Sequence, residues 1–104
     1  MMKIKNMESS RTGRPVPNQF IAENDGKVYF QSYSSLIAVY DGTTLTLGID
    51  WDYSVTTLKY LYEWMREYCW RVWRDVQNMD GKSGKDNINK AIERGLIKYD
   101  PNMI

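Results

Sequence analysis

The hydrophobic period of this chain changes once, near residue 54. Before that point apolar and polar residues tend to alternate, and two Asp-Gly pairs punctuate the runs; after it apolar residues recur every three to four positions. A period of two buries one face of a strand, and a period near 3.6 buries one stripe of a helix. The chain is therefore expected to build a sheet first and helices afterwards, an α+β fold. Its 104 residues leave room for one domain.

The strand half reads as two hairpins. Residues 18–24 and 27–33 flank Asp25-Gly26, and residues 35–40 and 43–49 flank Asp41-Gly42. Asp-Gly suits the tight primed turns, which need positive φ. Leu45, Leu47 and Ile49 alternate with Thr44, Thr46 and Gly48, giving one face to a core and one to solvent. Val28, Phe30 and Ser32 share one face of their strand, and Tyr29, Gln31 and Tyr33 share the other. The unbroken run Leu36-Ile37-Ala38-Val39 predicts a central strand covered on both sides. The expected sheet is a four-stranded antiparallel meander.

In the second half Leu58, Met65, Val72 and Met79 fall at seven-residue spacing, with Leu61, Tyr62, Tyr68, Cys69 and Val76 on the same side. This predicts one long amphipathic helix over roughly residues 55–79, about 36 Å in length, covering the sheet. Ser54 is its expected N-cap, with Asp50 and Asp52 upstream where negative charge favours a helix start. Asp80-Gly81 ends it, and residues 81–85 form a loop. Asp86 or Asn87 then caps a short helix through Glu93, closed by Gly95, and residues 96–99 extend along a sheet edge.

Residues 1–17 differ from the rest. Lys3, Lys5, Arg11 and Arg14 stand against Glu8 alone, amid Ser, Thr, Gly and Pro. So few apolar groups do not offset the entropy of ordering, which predicts a flexible basic segment over 1–17 and a single α+β domain over 18–104. Residues 18–53 are acidic, and the whole chain balances at a net charge of +1. The basic start is not followed by the apolar stretch of a secretory signal. No run approaches the ~20 apolar residues of a membrane helix. The expectation is a cytoplasmic protein without membrane contact.

Composition removes several chemistries. There is no histidine, so no Ser-His-Asp or Cys-His arrangement and no His-ligated metal. The single cysteine, Cys69, lies on the apolar stripe and reads as a small hydrophobe. Gly81-Lys82-Ser83 resembles part of a phosphate-binding loop, but Val76 stands where that loop needs glycine, and a helix rather than a strand precedes it. Asp50 and Asp52 supply too few oxygens for Mg²⁺ and fit the electrostatics of the helix start better. No catalytic residue, cofactor site or metal site is assigned.

Aromatic residues, 13% of the chain, are the most informative feature. On a helical wheel Trp64 and Trp73 lie roughly 90° to either side of the apolar stripe, and Tyr60 and Trp70 beyond about 130°. Arg66, Arg71 and Arg74 are interleaved with them. Trp, Tyr and Arg are enriched at binding hot spots. Tyr60, Trp64, Arg66, Trp70, Arg71, Trp73 and Arg74 are therefore the candidate partner-binding surface. The expected partner is a protein, with a second copy of the chain on the projecting end of the helix in a homodimer. The same mixture can stack bases and meet phosphates. With the basic segment it gives the alternative, a small nucleic-acid-binding protein, disfavoured by the near-zero net charge.

Asn18-Gln19-Phe20, the run Tyr29-Phe30-Gln31-Ser32-Tyr33-Ser34-Ser35-Leu36-Ile37-Ala38, and Trp51-Asp52-Tyr53-Ser54-Val55-Thr56-Thr57-Leu58-Lys59-Tyr60-Leu61 carry a resemblance. Together they resemble a family of small uncharacterised proteins of bacteriophages and other mobile elements, with a looser likeness over residues 88–99. The helix after Leu61 looks extended relative to that family. The resemblance implies a phage or mobile-element origin and a bacterial cytoplasm. By analogy it implies a non-enzymatic protein that binds a host or phage protein, host-defence components included. It carries over no catalytic residue. The motif residues have two readings of their own. In one, Gln31 and Ser32 bond strand to turn, Asp52, Ser54 and Thr57 cap the helix, and Trp51 and Tyr53 pack at the hinge. In the other, Tyr29, Gln31, Tyr33, Trp51 and Tyr53 line a ligand groove.

Overall fold

The computed structural model describes residues 3–103. Five strands come first: β1 (Lys3–Glu8), β2 (Pro15–Asn24), β3 (Lys27–Ser32), β4 (Ser35–Tyr40) and β5 (Leu45–Leu47). Three helices follow, α1 (Val55–Tyr68), α2 (Trp70–Gln77) and α3 (Gly84–Glu93), and β6 (Lys98–Tyr99) closes the fold. The strands form one sheet in the order β1-β2-β3-β4-β5-β6. Each neighbour pair is antiparallel except β5 and β6, which run parallel because all three helices lie between them. The α+β class is the expected one; the number of strands and the shape of the long helix are not.

The first correction is at the N-terminus. Residues 3–8, read from composition as part of a loose segment, pair along β2 from Lys3 opposite Glu23 to Glu8 opposite Pro15. A register shift after Asn6 accompanies the burial of Met7, which is only 4% exposed. Lys3 and Lys5 suit a strand that stands at a sheet edge, where charge discourages pairing with other chains. The polar tip is a turn: the Gly13 N–H donates to the Ser9 carbonyl and the Ser9 N–H to the Arg14 carbonyl, both at 2.8 Å.

The second correction concerns Leu36-Ile37-Ala38-Val39. The β3–β4 register slips between Phe30 opposite Ala38 and Gln31 opposite Leu36, leaving Ile37 as an extra residue. This bulge resets the alternation, so Ile37 and Ala38 are both buried while Leu36 and Val39 are half-exposed. The run reflects a bulge rather than two covered faces.

Ser54 caps α1 as expected, its Oγ accepting the Thr57 N–H at 3.0 Å. The predicted single helix, however, breaks at Cys69, whose ψ of 55° leaves the helical region. The break redirects α2, whose Val76 is buried with Ile88 and Ala91 of α3 in the common core. The C-terminal half therefore does not project as a straight rod. α1 buries Thr57, Leu61, Trp64 and Met65. Trp64 stacks on Phe30 of β3 with ring centroids 6.2 Å apart. The buried stripe thus includes Trp64, and Leu58 and Val72 sit at its margins. α3 starts at Gly84 with Ser83 as its cap, not at Asp86 or Asn87. Gly95, at a φ of 79°, ends it as expected.

Candidate functional site

The helices pack on one face of the sheet, against Met7, Ile21, Phe30, Ala38, Leu45 and Leu47. Cross-strand pairing fixes what the opposite face presents. One row runs Ile4, Ala22, Tyr29, Val39, Thr46, and the next runs Asn6, Phe20, Gln31, Leu36. The first row is largely apolar or aromatic, the second alternates polar and apolar groups, and no described helix covers them. Beside them Ile49 and Met103 complete a cleft of about 590 Å³, lined also by Ser34, Ser35 and Asp50. Ile4 at its edge is 65% exposed and Ile49 57%. Contiguous exposed apolar surface of this kind marks interaction sites in soluble domains.

Gly48 sets the position of Ile49 and Asp50. Its N–H donates to the Ile37 carbonyl at 2.8 Å, and a Cβ here would stand 2.8 Å from the Leu36 carbonyl oxygen. Only glycine lets β5 leave the sheet this closely. Asp50 is then fastened by the Ser35 hydroxyl, which donates to its Oδ2 at 2.9 Å.

A second cleft, of about 520 Å³, opens where the β3–β4 turn meets the start of α1 and shares Ser34, Ser35 and Asp50 with the first. Ser32, Tyr33, Ile37, Tyr53, Ser54, Thr56 and Thr57 complete its lining. Its inner hydroxyls bond to one another: Ser32 Oγ lies 3.0 Å from Thr57 Oγ1, and Ser54 Oγ donates to Thr57 Oγ1 at 3.1 Å. Tyr33 holds a φ of 56°, the left-handed region that bulky residues avoid. Its N–H donates to the Asn18 carbonyl at 2.7 Å, and the Gln31 side-chain amide donates to its carbonyl at 2.8 Å. Both of its peptide groups are thereby pinned.

The groove residues read from sequence are divided by the fold. Tyr29 and Gln31 line the apolar cleft, Tyr33 and Tyr53 line the hydroxyl cleft, and Trp51 is buried in the core at 4% exposure. The helix surface is divided too. Trp64 is fully buried and takes no part in any exposed surface. Tyr60 and Trp73 are half-buried against the core, and Lys59 Nζ lies 5.1 Å from the Tyr60 ring. Trp70 stays exposed, with the Arg74 guanidinium 5.2 Å from its ring centroid. Arg66 and Arg71 are exposed. Missed altogether were Ile4, Phe20, Ala22, Leu36 and Ile49 on the open face. The signal for two of them was present: in Gln19-Phe20-Ile21-Ala22 one alternate pair faces the helices, so Phe20 and Ala22 face the other way.

The chemistry of the remaining candidates is accounted for by their contacts. In the Gly81-Lys82-Ser83 segment the Gly81 and Lys82 N–H groups donate to Asn87 Oδ1 and Asp86 Oδ2, at 2.7 and 2.9 Å. Peptide donors that would cradle a phosphate are thus engaged. Asp52 pairs with Lys85 at 3.4 Å while Asp50 holds Ser35, so the two carboxylates serve different partners. Among the described residues no group of three His, Cys, Asp or Glu side chains gathers as a metal site. Burial pushes the Cys69 thiol up to about 12. That outweighs any lowering by the adjoining start of α2, so the reactive thiolate is disfavoured. No described helix is long and apolar enough to cross a membrane.

No curated protein and no solved structure matches the chain. A family pattern does, over residues 2–90. It takes in β1 and runs through α2 into α3, so the match covers the N-terminal strand and continues past Leu61. By this match the chain belongs to a family of unknown function, DUF8033.

Proposed function

We propose that this chain is a non-enzymatic binding protein whose working surface is the open face of its sheet. The observation that carries the reading is the uncovered apolar cleft bounded by Ile4, Phe20, Ala22, Tyr29, Leu36 and Ile49. A two-layer domain of this size gains stability by covering apolar surface, yet no described helix covers this face. The partner is a host or phage protein, a host-defence component among them. The phage or mobile-element origin and the bacterial cytoplasm rest on the Phe30-Gln31-Ser32-Tyr33 and Trp51-to-Thr57 motifs. Homodimer formation rests on Trp70, exposed and stacked by Arg74 at the helix break.

The nucleic-acid reading has less behind it. The cleft beside Lys5 and Arg66 also holds Glu8, Glu63 and Glu67, so the basic groups there are offset by carboxylates. Pull-down from a bacterial host lysate tests the main reading. Ile49→Asp on the open face should abolish capture of the stoichiometric partner, whereas Trp70→Glu on the helices should leave it intact. Capture that survives Ile49→Asp in a folded variant would refute it.

A further inference from the structure

The hydroxyl cleft at the start of α1 differs in chemistry from the apolar face and raises a separate question of what it takes. Its walls carry two exposed aromatic side chains, Tyr33 at 50% and Tyr53 at 73%. Its floor includes Ile37, and its one charged group is Asp50. No basic side chain lines it.

The polar groups sort into two sets. The inner hydroxyls of Ser32, Ser54 and Thr57 are engaged with one another, and the Thr57 N–H at the helix start is held by Ser54. The Thr57 N–H at the start of α1 is thus taken by the chain's own side chain. The outer groups, the Ser34 and Thr56 hydroxyls, the two phenol hydroxyls and Asp50 Oδ1, have no hydrogen-bond partner among the described residues. They face a ligand as a mixture of donors and acceptors around an apolar floor.

This lining argues against two classes of ligand. A phosphate or carboxylate would meet Asp50 with no cation to offset it. A purely apolar molecule would strip water from Asp50 and the hydroxyls and give no hydrogen bond in return. A neutral polyhydroxylated ring meets both demands. Its hydroxyls donate to Asp50 and exchange bonds with Ser34 and Thr56, while its C–H faces lie against the tyrosine rings. Tyr33 adds weight here. A tight turn would take glycine or asparagine at its positive φ, and a bulky residue held there by two hydrogen bonds is stored strain of the kind kept at binding sites. The volume of about 520 Å³ lies within the usual range of small-molecule sites.

We infer that this cleft binds a neutral saccharide, with Asp50 as acceptor for its hydroxyls and Tyr33 and Tyr53 against its C–H faces. The site adjoins the protein-binding face and shares Ser34, Ser35 and Asp50 with it, while Tyr33, Tyr53 and Thr56 belong to this cleft alone.

Amide NMR titration of the full chain tests the inference. The probes are glucose, galactose, mannose and N-acetylglucosamine, their disaccharides, and glucuronate and glucose 6-phosphate as charged counterparts. At least one neutral sugar should shift the amides of Tyr33, Ser34, Asp50, Tyr53 and Thr56. Its charged counterpart should bind about tenfold more weakly or worse, as should the Tyr53→Ala and Asp50→Asn variants. Tyr53 is exposed enough that its loss leaves the fold, and hence the spectrum elsewhere, unchanged. A disaccharide that binds more tightly than its monomer assigns the site to a glycan chain; equal affinity assigns it to a free sugar. No shift of these amides by any neutral sugar, equal binding of a charged one, or full affinity in Tyr53→Ala overturns the inference.

Discussion

At the scale of single residues, Tyr33 and Gln19 stand in places that cost stability. Tyr33 occupies the left-handed region, which disfavours an L-residue by roughly 1–2 kcal/mol. Tyr33→Ala keeps that strain and Tyr33→Gly releases it. Chemical denaturation should therefore find the glycine variant more stable than the alanine variant by about 1 kcal/mol, after glycine's extra chain entropy is subtracted. Equal stability would show that the backbone relaxes without cost. Gln19 is the other case. It is 1% exposed, and neither its Nε2 nor its Oε1 has a hydrogen-bond partner among the described residues. A buried, unpaired amide costs about 1–3 kcal/mol. Gln19→Met keeps the approximate volume and removes the polar atoms, so it should raise stability by on the order of 1 kcal/mol. A loss of stability instead would mean that the amide is satisfied in solution.

At the scale of elements, local signals proved legible and their interruptions did not. The Asp25-Gly26 turn, with φ values of 53° and 76°, the Ser54 cap and the Gly95 stop were readable because each is decided by a few neighbouring residues. The Ile37 bulge, the break at Cys69 and strand β1 were not, because each is decided by packing across the sheet. No proline or glycine marks Cys69; its neighbours alone continue the helical period. The expected apolar stripe holds at Leu61 and Met65, but the sheet adds Trp64 to it and leaves Leu58 and Val72 at its margins. The candidate site suffered from the same limit: its residues come from β1 to β4 and from the segments around Ile49 and Met103, and no one stretch of sequence displays them together.

The helix break also carries a pH signature. The folded chain holds the Cys69 proton up to about 12, whereas an unfolded thiol releases it near 9.0. Stability from this burial is complete below pH 9.0 and is lost as pH rises toward 12. Burial raises the Tyr62 and Tyr68 hydroxyls as well, in the same sense. Urea midpoints should therefore fall across this alkaline window, and Cys69→Ala should reduce the slope. Gly48→Ala, placed against the Leu36 carbonyl, should cost about 1–3 kcal/mol by forcing β4 and β5 apart. A variant as stable as the parent would show that the segment leading to Ile49 yields freely.

For the molecule as a whole, the arrangement is two layers with an asymmetry. Helices α1 to α3 and the inner sheet face share one core around Phe30, Trp64 and Met65. The outer face offers Ile4, Phe20, Ala22, Tyr29 and Leu36 with no helix over them among the described residues. Site-specific photo-crosslinking in cells puts this most directly to the test. A photoreactive residue at Ile49, in the cleft, should yield a discrete adduct with one partner protein, while the same residue at Glu93, on the exposed side of α3, should yield none. An adduct at Glu93 and nothing at Ile49 would place the working surface on the helices and contradict the account.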